Sequence, residues 1–463
     1  MKARTHLTVE DPFRGTTVAE VGLASPETAR EAVRSAARAQ LAWGRSPLGE
    51  RIGLCLAALQ ALEDHLEDAA REVTVQMGKP IAQARQEVRT CLARGRHMAS
   101  IAEEALSPRS LPGAGGERRI TREPVGVVLD IAAWNYPLLI AVNVVVPAVL
   151  AGNSVVLKHA SRTPLCGSRF EAAFRQAGAP AGLVTALHAD HEAVEAALSM
   201  DEIGYVTFTG SVRGGHEIYR SAARRFIDAG LELGGKDPAY VAEDADVNHA
   251  VENLADGAFY NAGQSCCGVE RIYVARPIYE HFVEGLVARA AAYRLDDPLD
   301  EATTMGPMAD PAAGAFLLGQ VKEARALGGE ILCGGQAAEA GGCRRFFSPT
   351  VVGNATHAMG IMREESFGPV VGVAPVESDQ EAIERMNDSR YGLTASIWTR
   401  DPTRARRVGE EVRTGTFFMN RCDWLDPGLA WTGVKDSGKG VSLSALGFLP
   451  LTRPKSWNLV HSS

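Results

Sequence analysis

From position 125 onwards the sequence alternates short, β-branched apolar runs with longer stretches of helical periodicity, and this rhythm restricts the fold most. A first series of runs lies at 125–131, 154–157, 183–187, 205–208 and 226–233, with helices fitting 136–150 and 164–177. Runs apolar at nearly every position are buried on both faces, which calls for a parallel sheet covered by crossover helices. A second series begins near Asp237, with strands expected at 239–241, 269–274, 346–352, 370–376, 394–398 and 416–419. Helices fit 247–262, 277–293, 311–327, 380–386 and 402–412 between them. The expectation is α/β: two Rossmann-like domains in tandem.

The first hundred residues read instead as helices. Ser25-Pro26-Glu27 supplies an N-cap, a proline at the first helical position and an early acid, followed by Val33, Ala36, Ala37 and Leu41 at helical spacing. Further helices fit 48–77 and 81–106, and the Pro, Gly and Ser of 107–116 predict a loop. No internal repeat or low-complexity segment interrupts this order.

A chain of 463 residues exceeds a single hydrophobic core and suffices for two or three domains. The net charge of −8 comes with scattered Lys and Arg, so there is no basic stripe for a nucleic acid. Eight cysteines without a C-x-x-C spacing predict reduced thiols in a cytoplasmic protein. Residues 1–9 lack the apolar core of a signal peptide, and the longest apolar run, 137–151, is broken by Asn143 and Pro147. That run is too short to span a bilayer, so no membrane partner is expected.

Several motifs fail. No G-x-G-x-x-G follows an expected strand, there is no H-E-x-x-H, and His188 and His191 alone read as surface residues, so no metal is expected. The stretch from Gly230 to Asp237 nearly spells a phosphate-binding P-loop, but Asp237 stands where Ser or Thr should hold magnesium. Extended sequence with Pro238 follows, where a P-loop needs a helix.

Three other places carry possible chemistry. In Asn261-Ala262-Gly263-Gln264-Ser265-Cys266-Cys267 a helix ends in a turn, and two cysteines precede the next strand. They are either small apolar residues entering a core or, since the turn leaves room for a substrate, a nucleophilic thiol. Glu232, between Leu231 and Leu233, is either a strand-end surface residue or an acid–base group. Asn135, in Trp134-Asn135-Tyr136-Pro137, sits at a strand-to-helix turn, where ordinary turn chemistry is the simpler account.

Together these segments resemble the aldehyde dehydrogenase superfamily, over nearly the whole chain. The ordered matches run from Met77-Gly78-Lys79-Pro80 through Trp134-Asn135-Tyr136-Pro137, Gly152-Asn153 with Lys158, and Phe208-Thr209-Gly210-Ser211. They continue through Leu231-Glu232-Leu233-Gly234-Gly235-Lys236, Gly263-Gln264-Ser265-Cys266 and Glu364-Glu365-Ser366-Phe367-Gly368-Pro369 to Lys435-Asp436-Ser437-Gly438 and Arg453-Pro454-Lys455. The resemblance implies oxidation of a small-molecule aldehyde to the acid, with NAD or NADP accepting hydride. Cys266 matches the nucleophile, Asn135 the side-chain donor of the oxyanion hole and Glu232 the base that hydrolyses the thioester. Trp134, Lys158, Ser161, Gly210, Ser211, Glu365 and Phe367 fall at cofactor-binding positions. The implied domains are cofactor-binding (1–115 and 127–236), catalytic (237–436) and an oligomerisation arm (116–126 and 437–463), giving a homodimer or homotetramer. A CoA-acylating relative and a catalytically silent binding protein are the alternatives; Glu232 stands against the first, and Cys266, Glu232 and Asn135 together against the second.

The chain departs from the family in three places. Lys158-His159-Ala160-Ser161 stands where relatives often have Lys-Pro-Ser-Glu. Serine removes the glutamate that would repel a 2′-phosphate, so dual NAD/NADP use or an NADP preference is expected. Val144 replaces a common lysine, so water or backbone must take over any proton relay there. Trp431-Thr432-Gly433-Val434 replaces Pro-Phe-Gly-Gly. Before it, Arg421 would favour a carboxylated semialdehyde, whereas Asp423 and Asp426 would favour an amino-aldehyde; a solvated loop of mixed charge is the third reading.

Overall fold

The computed structural model describes residues 5–112 and 116–460. Its first sheet is built on Val127–Ile131, a VVLDI run buried at every position. Ser154–Lys158 and Val184–Ala186 follow on one side, and Ile203–Thr209 and Asp228–Glu232 on the other, all parallel. In chain order this is 3-2-1-4-5, the doubly wound arrangement. Its switch point lies between Val127–Ile131 and Ile203–Thr209, where a crevice opens at the carboxyl ends of the strands. Gly438–Lys439 closes the far edge antiparallel to Asp228–Glu232. Gly438 has φ +118, and a Cβ there would collide with the Leu231 carbonyl, so glycine is what lets this late segment lie against the strand ending in Glu232.

The second sheet places Asp237–Val241 beside Val269–Ala275 and Thr394–Trp398. Val370–Val376 and Thr350–Gly353 extend one side and Thr416–Met419 the other, all parallel, with Glu330–Cys333 antiparallel at the edge. The expected pair of parallel α/β units therefore forms. A third sheet pairs Thr452–Val460 with Gly116–Pro124 along their whole length, and Arg109–Ser110 adds a short edge.

The helices start where the sequence provides for it. Ser25 caps Pro26–Trp43 by accepting from the Thr28 N–H at 3.1 Å. Asp190, Ser211, Asp246, Ser378 and Asp401 cap later helices in the same way. Helix Ile81–Leu106 packs its buried face against Pro137–Leu150, which brings residues from both into the site described below.

Several expected elements take a different form. The helix at 48–77 divides at His65 (φ −116°, ψ 29°) into Leu48–Asp64 and Leu66–Met77. The strand at 346–352 is two strands, Cys343–Phe347 and Thr350–Gly353, in different sheets. Pro349, which has no N–H to donate, marks the break. Before the first helix lies a hairpin, His6–Glu10 with Thr17–Gly22, in a region expected to be helical. Its turn is held by Asp11, whose carboxylate accepts from the Phe13 and Arg14 N–H groups at 2.8 and 3.0 Å.

Among the described residues, no helix is long and apolar enough to cross a membrane. No cluster of three or more His, Cys, Asp or Glu side chains among them is placed to hold a metal ion.

Candidate active site

Where Val127–Ile131 ends, the chain turns through Trp134-Asn135-Tyr136 into helix Pro137–Leu150. The first turn of a helix has N–H groups without intrahelical partners. Here the Leu138 N–H donates to the Glu87 carboxylate at 2.9 Å. Glu87 also pairs with Lys79, both buried, and Lys79 Nζ donates to the Asn135 carbonyl at 2.9 Å while lying 4.0 Å from the Tyr136 ring centroid. Lys79 thus holds the Asn135 backbone directly, while Glu87 holds Lys79 and the first turn of the helix.

Cys266 arrives from the second sheet. Helix Val247–Phe259 runs into a tight turn in which Asn261 and Ala262 both have φ 54°. Asn261 Nδ2 donates to the Asn135 and Gln264 carbonyls at 3.1 and 3.2 Å, and Asn135 Nδ2 donates to the Gln264 carbonyl at 3.1 Å. The two loops are stitched together one residue pair before Cys266, which is half-buried. Behind it runs Gly234-Gly235, and a Cβ on Gly235 would collide with the Cys266 carbonyl.

That close approach accounts for the near P-loop. Lys236 is buried against Glu270 and donates to Ser366 Oγ at 3.1 Å. Asp237 accepts from the Thr394 backbone N–H at 3.0 Å and its hydroxyl at 2.6 Å. Both side chains are committed inside the protein.

Glu232 ends strand Asp228–Glu232 and lines the same cavity, of about 310 Å³, as Cys266. Its carboxylate accepts from Trp431 Nε1 at 3.1 Å and Ser442 Oγ at 2.7 Å. Burial raises its pKa above the ordinary glutamate value, against the opposing pull of those two donors and of Arg94. Cys267 lines the same cavity and donates to Asp423 at 2.8 Å. Its hydrogen bond with Cys266, and then burial, raise its pKa well above the usual thiol value, so it is a neutral donor beside Cys266. Burial pushes Asp423 up to about 7. Arg421 stacks on Trp424 at 3.8 Å and is exposed, and Asp426 accepts from the Gly428 N–H at 2.8 Å within its own loop. Of these three charged loop residues, only Asp423 lines the cavity.

The expected cofactor positions fall into two groups. Trp134 and Phe367 meet edge to face at 5.6 Å. Phe367 has φ 49°, and the Glu270 carboxylate holds its backbone by accepting from the Ser366 and Phe367 N–H groups at 2.8 and 2.9 Å. Glu365 accepts from the Gly235 N–H at 3.2 Å and is pushed up to about 7 by burial. The second group lies at strand carboxyl ends. Lys158 ends its strand, Ser161 is exposed in the next turn, and Gly210 and Ser211 open helix Val212–Ala223. The Gly210 N–H donates to the Glu232 carbonyl at 3.0 Å, and Ser211 caps the helix through the Gly214 N–H at 3.2 Å.

Burial lowers the Lys158 pKa, and among the described residues its ammonium has no hydrogen-bond or ion-pair partner. An unmatched cation at the carboxyl end of one neighbour of Val127–Ile131, with a helix N-terminus following the other neighbour, fits the ribose and phosphates of a dinucleotide. The first loop of the sheet, where a Rossmann fold usually places its glycines, is occupied by Asn135, which explains the missing fingerprint.

Residues 1–457 match the family model described as aldehyde dehydrogenase family. The chain belongs to that family. It is 35% identical over 459 residues to the 3,6-anhydro-alpha-L-galactose dehydrogenase of Streptomyces coelicolor, covering 98% of this chain and 93% of the relative. It is 32% identical over 445 residues to the NADP(+) succinate-semialdehyde dehydrogenase of Deinococcus radiodurans, covering 96% and 93%. The crystal structure of betaine aldehyde dehydrogenase from Staphylococcus aureus with NAD+ superposes with a TM-score of 0.94 at 31% identity, covering 98% of this chain and 91% of that one. This aldehyde dehydrogenase catalyses NAD(P)-dependent oxidation of an aldehyde.

Nothing in the sequence marks Glu87 as a positioning residue, and Lys79, Asn261 and Gln264 stand out there only as members of longer motifs. A lysine and a glutamate eight residues apart across a proline carry no signal of a shared buried site. Breaking a buried pair leaves one charge uncompensated, at a cost of about 3–5 kcal/mol. Lys79→Met should therefore lower stability by about that amount in chemical denaturation and reduce kcat through Asn135. A variant as stable as the parent would show that the pair does not hold this turn.

Proposed function

We propose that this dehydrogenase is of the hydrolytic type, with Cys266 as nucleophile, Asn135 in the oxyanion hole and Glu232 as base. The observation that carries the proposal is that Glu232 and Cys266 line one cavity, with Asn135 tied to the loop that delivers Cys266. The Cys266 thiolate attacks the aldehyde carbon and forms a thiohemiacetal oxyanion. An amide nitrogen has two N–H donors, and Asn135 uses one on Gln264, so the other is available to the oxyanion, alongside the Cys266 backbone N–H. When bound, NAD or NADP supplies the hydride acceptor, and a Cys266 thioester remains. Glu232 takes a proton from water as the water attacks the thioester, releasing the acid and restoring the thiolate. Trp431 and Ser442 aim the Glu232 carboxylate. A base in the cavity favours water over CoA as the acceptor.

Cys266→Ala should abolish turnover. Glu232→Gln should keep a single burst of reduced cofactor while the steady rate falls about 10²–10⁴-fold. Because the Glu232 pKa is raised, the ionised base is present above that shifted value and lost below it. The steady rate in the parent should therefore climb with pH through a range higher than an ordinary glutamate gives. A burst that vanishes together with the steady rate in Glu232→Gln, or an acid limb unchanged by the substitution, overturns the assignment.

We infer that Lys158 and Ser161 admit the 2′-phosphate of NADP, because the Lys158 ammonium is unmatched and no acid stands at position 161. Lys158→Met should lower kcat/KM more with NADP than with NAD. Equal losses, or a large NAD advantage in the parent, would remove the NADP role.

The proposed domains are those of the sequence: 1–115 with 127–236 for the cofactor, 237–436 for catalysis, and 116–126 with 437–463 as the arm. Among the described residues the outer edge of Thr452–Val460 is unpaired, and Leu459 and Val460 are exposed, which supports a homodimer or homotetramer. Light scattering of the intact protein should give at least twice the chain mass, and a monomer would exclude this. Eight free cysteines fit a reducing, cytoplasmic setting, which redox labelling in cells tests.

A further inference from the structure

Arg94 is a buried cation in the cavity that holds Cys266, and nothing in the proposed reaction uses it. It lies on helix Ile81–Leu106 and is only 6% exposed, yet it lines the cavity with Asn143 and Glu232. One Nη donates to Asn143 Oδ1 at a long 3.4 Å, and Nε has no partner. Among the described residues no carboxylate forms an ion pair or hydrogen bond with it. A buried guanidinium is costly unless an anion and matching acceptors compensate it.

The acids around it are already engaged. Glu87 is held by Lys79 and the Leu138 N–H, Glu232 by Trp431 and Ser442, and Asp423 by Cys267. Asp256, at the cavity wall, is raised by burial, as are Glu232 and Asp423, so all three are shifted towards their neutral forms. Arginine stays protonated in proteins, so Arg94 is a buried charge in the cavity wall without a direct carboxylate partner among the described residues. Its planar fork matches a carboxylate through two parallel N–H donations.

We propose that Arg94, assisted by the Asn143 amide, binds a carboxylate at the far end of the substrate, so that the enzyme prefers ω-oxo-carboxylates to neutral aldehydes. The proposal rests on the aldehyde-oxidising assignment of the same cavity. Arg421, the cation that the sequence offered for this task, stacks on Trp424 outside it.

The test compares ω-oxo-carboxylates of four to six carbons with their methyl esters, in the parent and in Arg94→Gln. The parent should favour the acid over the ester in kcat/KM, and Arg94→Gln should reduce that ratio at least tenfold, mainly through KM. A parent that oxidises esters as well as acids overturns the proposal while leaving the dehydrogenase assignment intact. A parent that oxidises neither class overturns both. Equal loss of kcat for acid and ester in Arg94→Gln would assign Arg94 to Glu232 instead of to the substrate, and also overturns it. If the variant does not fold, the parent alone decides: butanoate should compete with an ester substrate and butanamide should not. Equal inhibition by the two, or inhibition by neither, sinks the idea.

Discussion

The buried pair of Lys79 and Glu87 is the interaction on which the site depends. Its lysine holds the Asn135 carbonyl and its glutamate satisfies the Leu138 N–H. One ion pair therefore fixes both the turn that leads into helix Pro137–Leu150 and the first turn of that helix. Neither charge could remain buried without the other, and neither would be satisfied without the strand-to-helix turn between them. Asn261 and Gln264 extend the same set of bonds to the loop of Cys266, so residues on separate sheets share one rigid junction. Lys236 and Glu270 repeat the device on the other side, where Glu270 fixes the backbone of Ser366 and Phe367.

Around this frame the cavity is electrostatically uneven. Carboxylates facing it are raised by burial, whereas Lys79 and Glu87 neutralise each other in its wall. Glu232 is held by an indole and a hydroxyl, two neutral donors that orient the carboxylate and lower its pKa by less than burial raises it. Trp431 was visible in the sequence only as a departure from the family pattern; in the structure it is one of the two groups that aim the Glu232 carboxylate.

Much of this was legible in advance. Five apolar runs predicted the first sheet because strands buried on both faces leave a continuous apolar signature. The hairpin His6–Glu10 with Thr17–Gly22 left no such signature, since its strands are largely exposed and polar. The break at Pro349 was readable as a proline but was hidden by the apolar residues around it. Cys266, Glu232 and Asn135 stood out because a thiol, an acid and an amide are unusual at the ends of buried elements. Lys79, Glu87 and Arg94 did not, because charged residues in a helical region read as a solvated face.

By itself the sequence determined the two α/β units and the family, because these rest on local periodicity and on motifs contiguous along the chain. Only the tertiary structure decided that Asp423 turns inward to Cys267 while Arg421 stacks outside, and that Arg94 is buried without a carboxylate. Partnership and burial are properties of space. Residues far apart in sequence compete for the same donors and the same water-free volume, and a linear pattern carries no record of which of them meet.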